Sequence, residues 1–226
     1  MVSIIEKSSG YLHSQIYRLQ GVDGIKYFRA HEGVVPHMYL DIVGLVTVGV
    51  GFLLRTPEDA VAMPFVNRKT GKAATAAEKR ADWALVNAQE KAKLAATYKK
   101  FTQLDMTDAD IDKRLGKFIS DFAAGLRRQF KDFDSYPQSV QIGLLDMVYS
   151  LGPDGFSTGY PKMCAAILKK DWAAAANECE RKGVSPTRNK DCRQLFLDAV
   201  NAVSGAGLES VGMTDAAIKK AVKKRK

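Results

Sequence analysis

Apolar positions along the chain change period several times, and each change marks an element. From about Tyr11 to Leu19 and from Asp23 to His31 they recur at helical spacing. Leu12, Ile16 and Leu19 carry the first stripe and Ile25 and Phe28 the second, which Gly33 is placed to terminate. Tyr39 to Gly51 is instead rich in Val and Ile and punctuated by glycine, which predicts two short strands turning at Val43-Gly44. Arg55 to Lys72 holds Pro57, Pro64, Asn67 and Gly71 and reads as an irregular connection. A long helical pattern follows from about Thr75 to Phe101, with Trp83, Val86, Leu94, Tyr98 and Phe101 on one side and a charged, solvated face on the other.

Thr107 with Asp110 resembles a capping box in which Asp replaces the usual Glu, opening a helix whose stripe is Ile111, Leu115, Phe118 and Phe122. Pro137 fits the first turn of a very apolar helix with Val140, Leu144, Leu145, Val148 and Leu151, the expected centre of the larger lobe. Beyond Gly152 the pattern predicts a glycine-rich turn, a helix near Lys162 to Lys169, and an alanine-rich stretch from Asp171 to Arg181. A final core helix carries Leu195, Phe196, Val200 and Val203, and the tail from Thr214 is strongly basic. The expected organisation is one mostly α-helical (α+β) domain over 1–226. It has a hairpin lobe at about 21–56, an extended connection and long helix at 57–104, a helical lobe at 105–203 and a basic tail at 204–226.

Composition narrows the function classes. With 46% apolar, 26% charged and 9% aromatic residues the 226-residue chain is an ordinary globular sequence, not a disordered or fibrous one. The longest mainly apolar run, Ile42 to Leu54, is interrupted by three glycines and is too short to span a bilayer. The start, MVSIIEKSSGYLHS, has no signal-peptide pattern, so the expectation is a chain made in the cytoplasm with no stable membrane insertion. A formal net charge of +9 implies attraction to nucleic acid, acidic headgroups or an acidic cell-wall polymer. No recognisable nucleic-acid motif accompanies the charge, so no nucleic-acid partner is expected. Cys164, Cys179 and Cys192 form no close pair and lie far from His13, His31 and His37, which argues for buried reduced thiols and against a metal site.

Candidate chemistry concentrates in residues 31 to 54, HEGVVPHMYLDIVGLVTVGVGFLL. Glu32 falls at a helix C-terminus, where the unpaired carbonyls disfavour a second negative charge, and Val34, Val35 and Leu53 would disfavour it further by desolvation. Both effects are expected to keep it protonated near neutral pH, as a general acid requires. If the hairpin turns at Gly44, Asp41 and Thr47 are cross-strand neighbours on one face, with Asp41 ionised and able to act as a base. One acid and one base suit glycoside hydrolysis. Spacing alone leaves a purely structural role for all three the simpler account.

The segment also resembles a known family. Glu32-Gly33, Tyr39, Asp41, Gly44, Thr47, Gly49, Gly51 and Leu53-Leu54 follow the pattern E-G, Y-x-D, G-x-x-T-x-G-x-G-x-L-L of the phage-type lysozymes, the endolysins of tailed bacteriophages. DMVYSLG, Asp146 to Gly152, is similar to the family's core-helix segment, and GVSPTRNKDCRQLF, Gly183 to Phe196, to its late arginine-containing segment. Phe52 departs from the pattern, standing where some members carry histidine, and the connection over 55–104 is longer than in compact members.

The resemblance implies a two-lobed lysozyme-like fold with a small β-hairpin lobe and a larger helical lobe. It implies catalytic roles for Glu32, Asp41 and Thr47, and substrate-binding roles for Leu53, Tyr149 and Arg188. A core tyrosine and a surface arginine are the alternatives for the last two. The implied reaction is inverting hydrolysis of the β-1,4 bond between N-acetylmuramic acid and N-acetylglucosamine, with no metal and no organic cofactor. The implied partner is bacterial peptidoglycan, met by a monomer in the periplasm or cell wall after holin-type release or secretion. An immunity or inhibitor protein, or a delivery apparatus, would be a further partner if the chain is an antibacterial effector. The rival from the binding class is an inactive module that only grips cell wall.

Overall fold

The computed structural model describes residues 24–210, so the expected helix at 11–19 and the tail from Thr214 lie outside the described residues, whereas 204–210, expected to begin the tail, are helical. The described residues are mostly helical, with one three-stranded and one two-stranded antiparallel sheet. They divide into two compact units, one ending at Ile119 and the other beginning at Ser120.

The first unit opens with α1, Gly24–Glu32, which buries Phe28. Gly33, in the left-handed conformation at φ +70°, ends it by donating its N–H to Arg29 O at 3.1 Å. Strands β1 (Val35–Leu40), β2 (Val46–Gly49) and β3 (Phe52–Leu53) follow as an antiparallel meander. The register pairs Tyr39 with Thr47 and Leu40 with Val46, then Thr47 with Leu53 and Val48 with Phe52. At the β2–β3 turn a Cβ on Gly49 would stand 2.8 Å from the Phe52 ring, so only glycine fits there.

The expected irregular connection is more ordered than its Pro and Gly content predicts. Pro57 starts a short helix, α2 (Pro57–Val61), capped by a reciprocal Thr56–Asp59 box. Phe65–Asn67 forms β4 and pairs with β5, Leu104–Met106. Arg68 holds this pair, donating to both oxygens of Asp105 at 2.7 Å and to Thr102 O at 2.9 Å.

The expected single helix over 75–101 is corrected to two pieces. Helix α3 covers Ala76–Asn87 and a 3-10 helix covers Ala95–Phe101, with Ala92 between them in the left-handed region. Tertiary bonds turn the chain back. Buried Asp82 accepts the N–H groups of Gln103 and Leu104 at 2.8 and 2.9 Å, and Tyr98 donates its hydroxyl to Glu90 O at 2.7 Å. Leu94, assigned to the apolar stripe, is 82% exposed.

Helix α4, Asp108–Gln129, begins at the expected Thr107–Asp110 pair, with Asp110 N–H on Thr107 Oγ1 at 3.1 Å, and runs from the first unit into the second. Arg29 ties α1 to its first turns through Asp108 and Asp112 at 2.8 and 2.6 Å. In the second unit α5 spans Gln138–Gly159 and buries Ile142, Leu144, Met147, Val148 and Phe156. Gly152, at φ 72° and ψ 162°, kinks it, and Pro153 restarts the helix where a glycine-rich turn was expected. Helices α6 (Pro161–Leu168), α7 (Trp172–Asn177) and α8 (Pro186–Ser210) complete the described chain, with Asp171 capping α7 through Ala174 N–H at 2.9 Å. No helix among the described residues is long and apolar enough to cross a membrane.

Candidate active site

Glu32 closes α1 and is half-buried. Three residues later, at Val35, β1 begins, and the loop after β1 opens with Asp41. The paired residues Tyr39–Thr47 and Leu40–Val46 centre the hairpin on Val43, one position before the expected Gly44. Asp41 therefore stands opposite Leu45, to whose carbonyl it donates its N–H at 3.0 Å, and the expected direct Asp41–Thr47 pairing is corrected to a diagonal one.

The displacement has a cause in the side chain. Asp41 Oδ1 accepts three backbone N–H groups, from Val43 at 3.0 Å, Gly44 at 2.8 Å and Leu45 at 2.8 Å. This draws the loop around the carboxylate and fixes its orientation. Ile42 and Val43 at the tip are left 82% and 63% exposed.

Because β2 is the central strand, Thr47 is flanked on one side by Tyr39 and on the other by Leu53. The three make a row across one face of the sheet, with Asp41 on the diagonal from Thr47. Thr47 is buried and its hydroxyl donates to Leu45 O at 3.1 Å. Burial, then the charges of Asp41 and Glu32, push the Tyr39 phenol above its ordinary pKa.

Phe52, the departure from the family pattern, is buried and stacks on Phe118 of α4 at 5.5 Å with the rings nearly parallel. The Arg114 guanidinium lies 5.6 Å from each ring centroid, so an aromatic–cation cluster anchors β3 to α4.

The second unit holds the other two expected substrate residues. Tyr149 is half-buried, edge-on to Phe122 at 6.0 Å, and the Arg188 guanidinium lies 6.0 Å from its ring centroid. Arg188 is not a surface arginine. Its side chain is 10% exposed, and Nε and Nη2 both donate to Asp146 Oδ1, at 2.9 and 2.7 Å. Arg181, which the sequence reading passed over, is wholly buried and takes the other carboxylate oxygen at 2.7 Å, with further bonds to Asp146 O and Ser150 Oγ. The signal that could have found it is Asp146 itself, a lone carboxylate in the apolar run IGLLDMVYS that must meet a cation when buried.

Chemically, the first unit offers two carboxylates, a phenol and a hydroxyl around a short sheet, with Asp41 locked by its own turn. The second offers a guanidinium and an aromatic face. Among the described residues no group of three or more His, Cys, Asp or Glu side chains is arranged to hold a metal ion. No protein-family model and no curated protein matches the chain.

Proposed function

We propose that this chain is a peptidoglycan hydrolase of the phage-type lysozyme class, with the two-lobed lysozyme-like architecture that the resemblance implies. It would cleave the β-1,4 bond between N-acetylmuramic acid and N-acetylglucosamine with inversion. Glu32 donates a proton to the leaving oxygen, and Asp41, helped by the Thr47 hydroxyl, takes one from the attacking water. Leu53 contributes apolar surface to the sugar, and Tyr149 and Arg188 are assigned to the substrate by resemblance.

The observation that carries this reading is the hairpin geometry: Asp41, held by three N–H groups of its own turn, lies on the diagonal from Thr47, whose strand partners are Tyr39 and Leu53. Supporting it, the three N–H donors all bind Asp41 Oδ1, and Oδ2 accepts no hydrogen bond among the described residues. That oxygen is the one available to a water.

A binding-only module is the second reading, favoured by the internal bonds of Asp41 and Thr47, which give both a role in the hairpin alone. Incubation with purified peptidoglycan, followed by mass spectrometry of the released fragments, separates the two. Muramidase action yields fragments with reducing N-acetylmuramic acid, and the first-formed anomer is α. Sedimentation with the wall and no new reducing ends identifies a binder. Anhydro-muramic ends or freed peptide stems indicate a different hydrolase and overturn the proposal.

A further inference from the structure

We infer that the tip of the β1–β2 hairpin, Ile42, Val43 and Leu45, docks reversibly in the headgroup layer of an anionic lipid surface, with the Lys91 ammonium beside it at the lipid phosphates. The turn reads D-I-V-G-L, placing three aliphatic side chains where a turn facing water usually carries Asn, Asp, Gly or Ser. Ile42, Val43 and Leu45 are 82%, 63% and 37% exposed. Single exposed aliphatic residues are ordinary, but three within four positions of one turn make a patch.

The tip is held in this exposed form. Asp41 Oδ1 accepts the N–H groups of Val43, Gly44 and Leu45, and Leu45 O accepts from the Asp41 N–H and the Thr47 hydroxyl. These backbone groups are paired before any contact is made, which removes much of the cost of taking a loop out of water.

Charge identifies the occupant. A Cβ on Gly44 would stand 3.1 Å from Lys91 Cδ and 3.5 Å from Lys91 Cβ, so the aliphatic stem of Lys91 lies on the turn and the exposed side chain carries its ammonium next to the tip. The loop that supplies Lys91 is fastened to β1 by His37, whose Nε2 is 3.0 Å from Ala95 O, and it also exposes Leu94. Over 41–45 and 88–101 the cations are Lys91, Lys93, Lys99 and Lys100, all exposed, against the acids Asp41 and Glu90. Asp41 is bonded within its own turn, and Glu90 pairs with Lys93 at 3.2 Å. Ammonium groups on aliphatic stems around a small apolar tip match a layer in which phosphates overlie acyl chains. A stable protein partner needs about 800 Å² on each side, far more than a turn of three side chains offers. All these residues belong to the first unit, and nothing in the inference rests on the proposed hydrolase activity.

The test floats the full chain with vesicles of equal parts phosphatidylglycerol and phosphatidylcholine, and with vesicles of phosphatidylcholine alone. The chain should rise with the mixed vesicles and much less with the neutral ones. The double variant Ile42→Ser, Val43→Ser should bind the mixed vesicles about tenfold or more weakly, and Lys91→Gln roughly fivefold more weakly, both with the parental Tm. The basic tail is unchanged in these variants, so binding by its charge alone would survive both. Val43→Trp should gain a fluorescence that brominated phosphatidylglycerol quenches, beyond any quenching of Trp83 and Trp172 in the parent. Failure to float with the mixed vesicles, equal binding to neutral ones, binding undiminished in the double variant, or no added quenching in Val43→Trp would each overturn the inference. So would a dimer of the free chain that the double variant dissociates, because a second copy would then be what covers the tip. None of these readouts depends on peptidoglycan cleavage.

Discussion

Asp41 carries two roles that two substitutions can separate. Its Oδ1 gathers three backbone N–H groups of its own turn, at 2.8 to 3.0 Å. Hydrogen bonds to a charged acceptor contribute about 1.5–3 kcal/mol each when shielded. Here the Val43 and Leu45 bonds are exposed, and water replaces them at little cost once the carboxylate is gone. Only the Gly44 bond is partly buried. The sum for Asp41→Ala therefore comes to about 2–3 kcal/mol, a fall in Tm of about 5–10 °C for a chain of this size. In Asp41→Asn the amide oxygen can accept the same three donors, so the stability loss should stay below about 1 kcal/mol. If Asp41 is also the base, that variant nevertheless loses about 100- to 10,000-fold in turnover, because the amide takes no proton. Urea unfolding and reducing-end release from peptidoglycan, run on both variants, measure the two quantities. An Asp41→Ala protein as stable as the parent would refute the structural argument. Near-parental turnover in Asp41→Asn would refute the catalytic one.

Glu32→Gln should leave the fold and Tm unchanged and remove about 100- to 10,000-fold of peptidoglycan cleavage, measured as reducing ends; undiminished turnover would remove Glu32 from the mechanism. Asp146→Ala leaves the Arg181 and Arg188 guanidinium groups buried without their shared carboxylate, and should cost about 3–5 kcal/mol in urea unfolding, against under about 1 kcal/mol if the cluster were incidental. His37 is buried with Nε2 3.0 Å from Ala95 O, and desolvation, aided by Arg68 and Lys99 and opposed by that bond and Asp105, holds its pKa below the ordinary value. The unfolded chain then binds the extra proton first, so stability falls as pH drops below about 6.5, with a slope of at most about 1.4 kcal/mol per pH unit, and His37→Gln should flatten that slope between about pH 5 and 7. Sedimentation with peptidoglycan should weaken as salt rises, since a net charge of +9 is screened beyond about 8 Å at physiological ionic strength; salt-independent binding would assign the charge another purpose.

What the sequence determined by itself is what nearest neighbours along the chain decide. The end of α1 at Gly33, the start of α4 at Thr107 and Asp110, and the apolar helix after Pro137 were all legible, because a cap, a glycine or a proline acts within one turn. The strands around Asp41 and Thr47 were legible in kind, but their register was not. Glycine at position 44 suggested where the chain turns, whereas three N–H groups converging on one carboxylate oxygen moved the centre to Val43 and made the Asp41–Thr47 pair diagonal. The break in the helix expected over 75–101 was not legible at all. Local propensity favours continuation, and only the capture of Gln103 and Leu104 by Asp82, with Tyr98 bonded back to Glu90, supplies the free energy to turn the chain. Tertiary structure alone likewise decided that β4 pairs with β5 and that Arg181, Asp146 and Arg188 form one buried cluster. Hydrogen-bond partners tens of residues apart leave no periodicity in a sequence, since the chain between them is free to be anything that closes the loop.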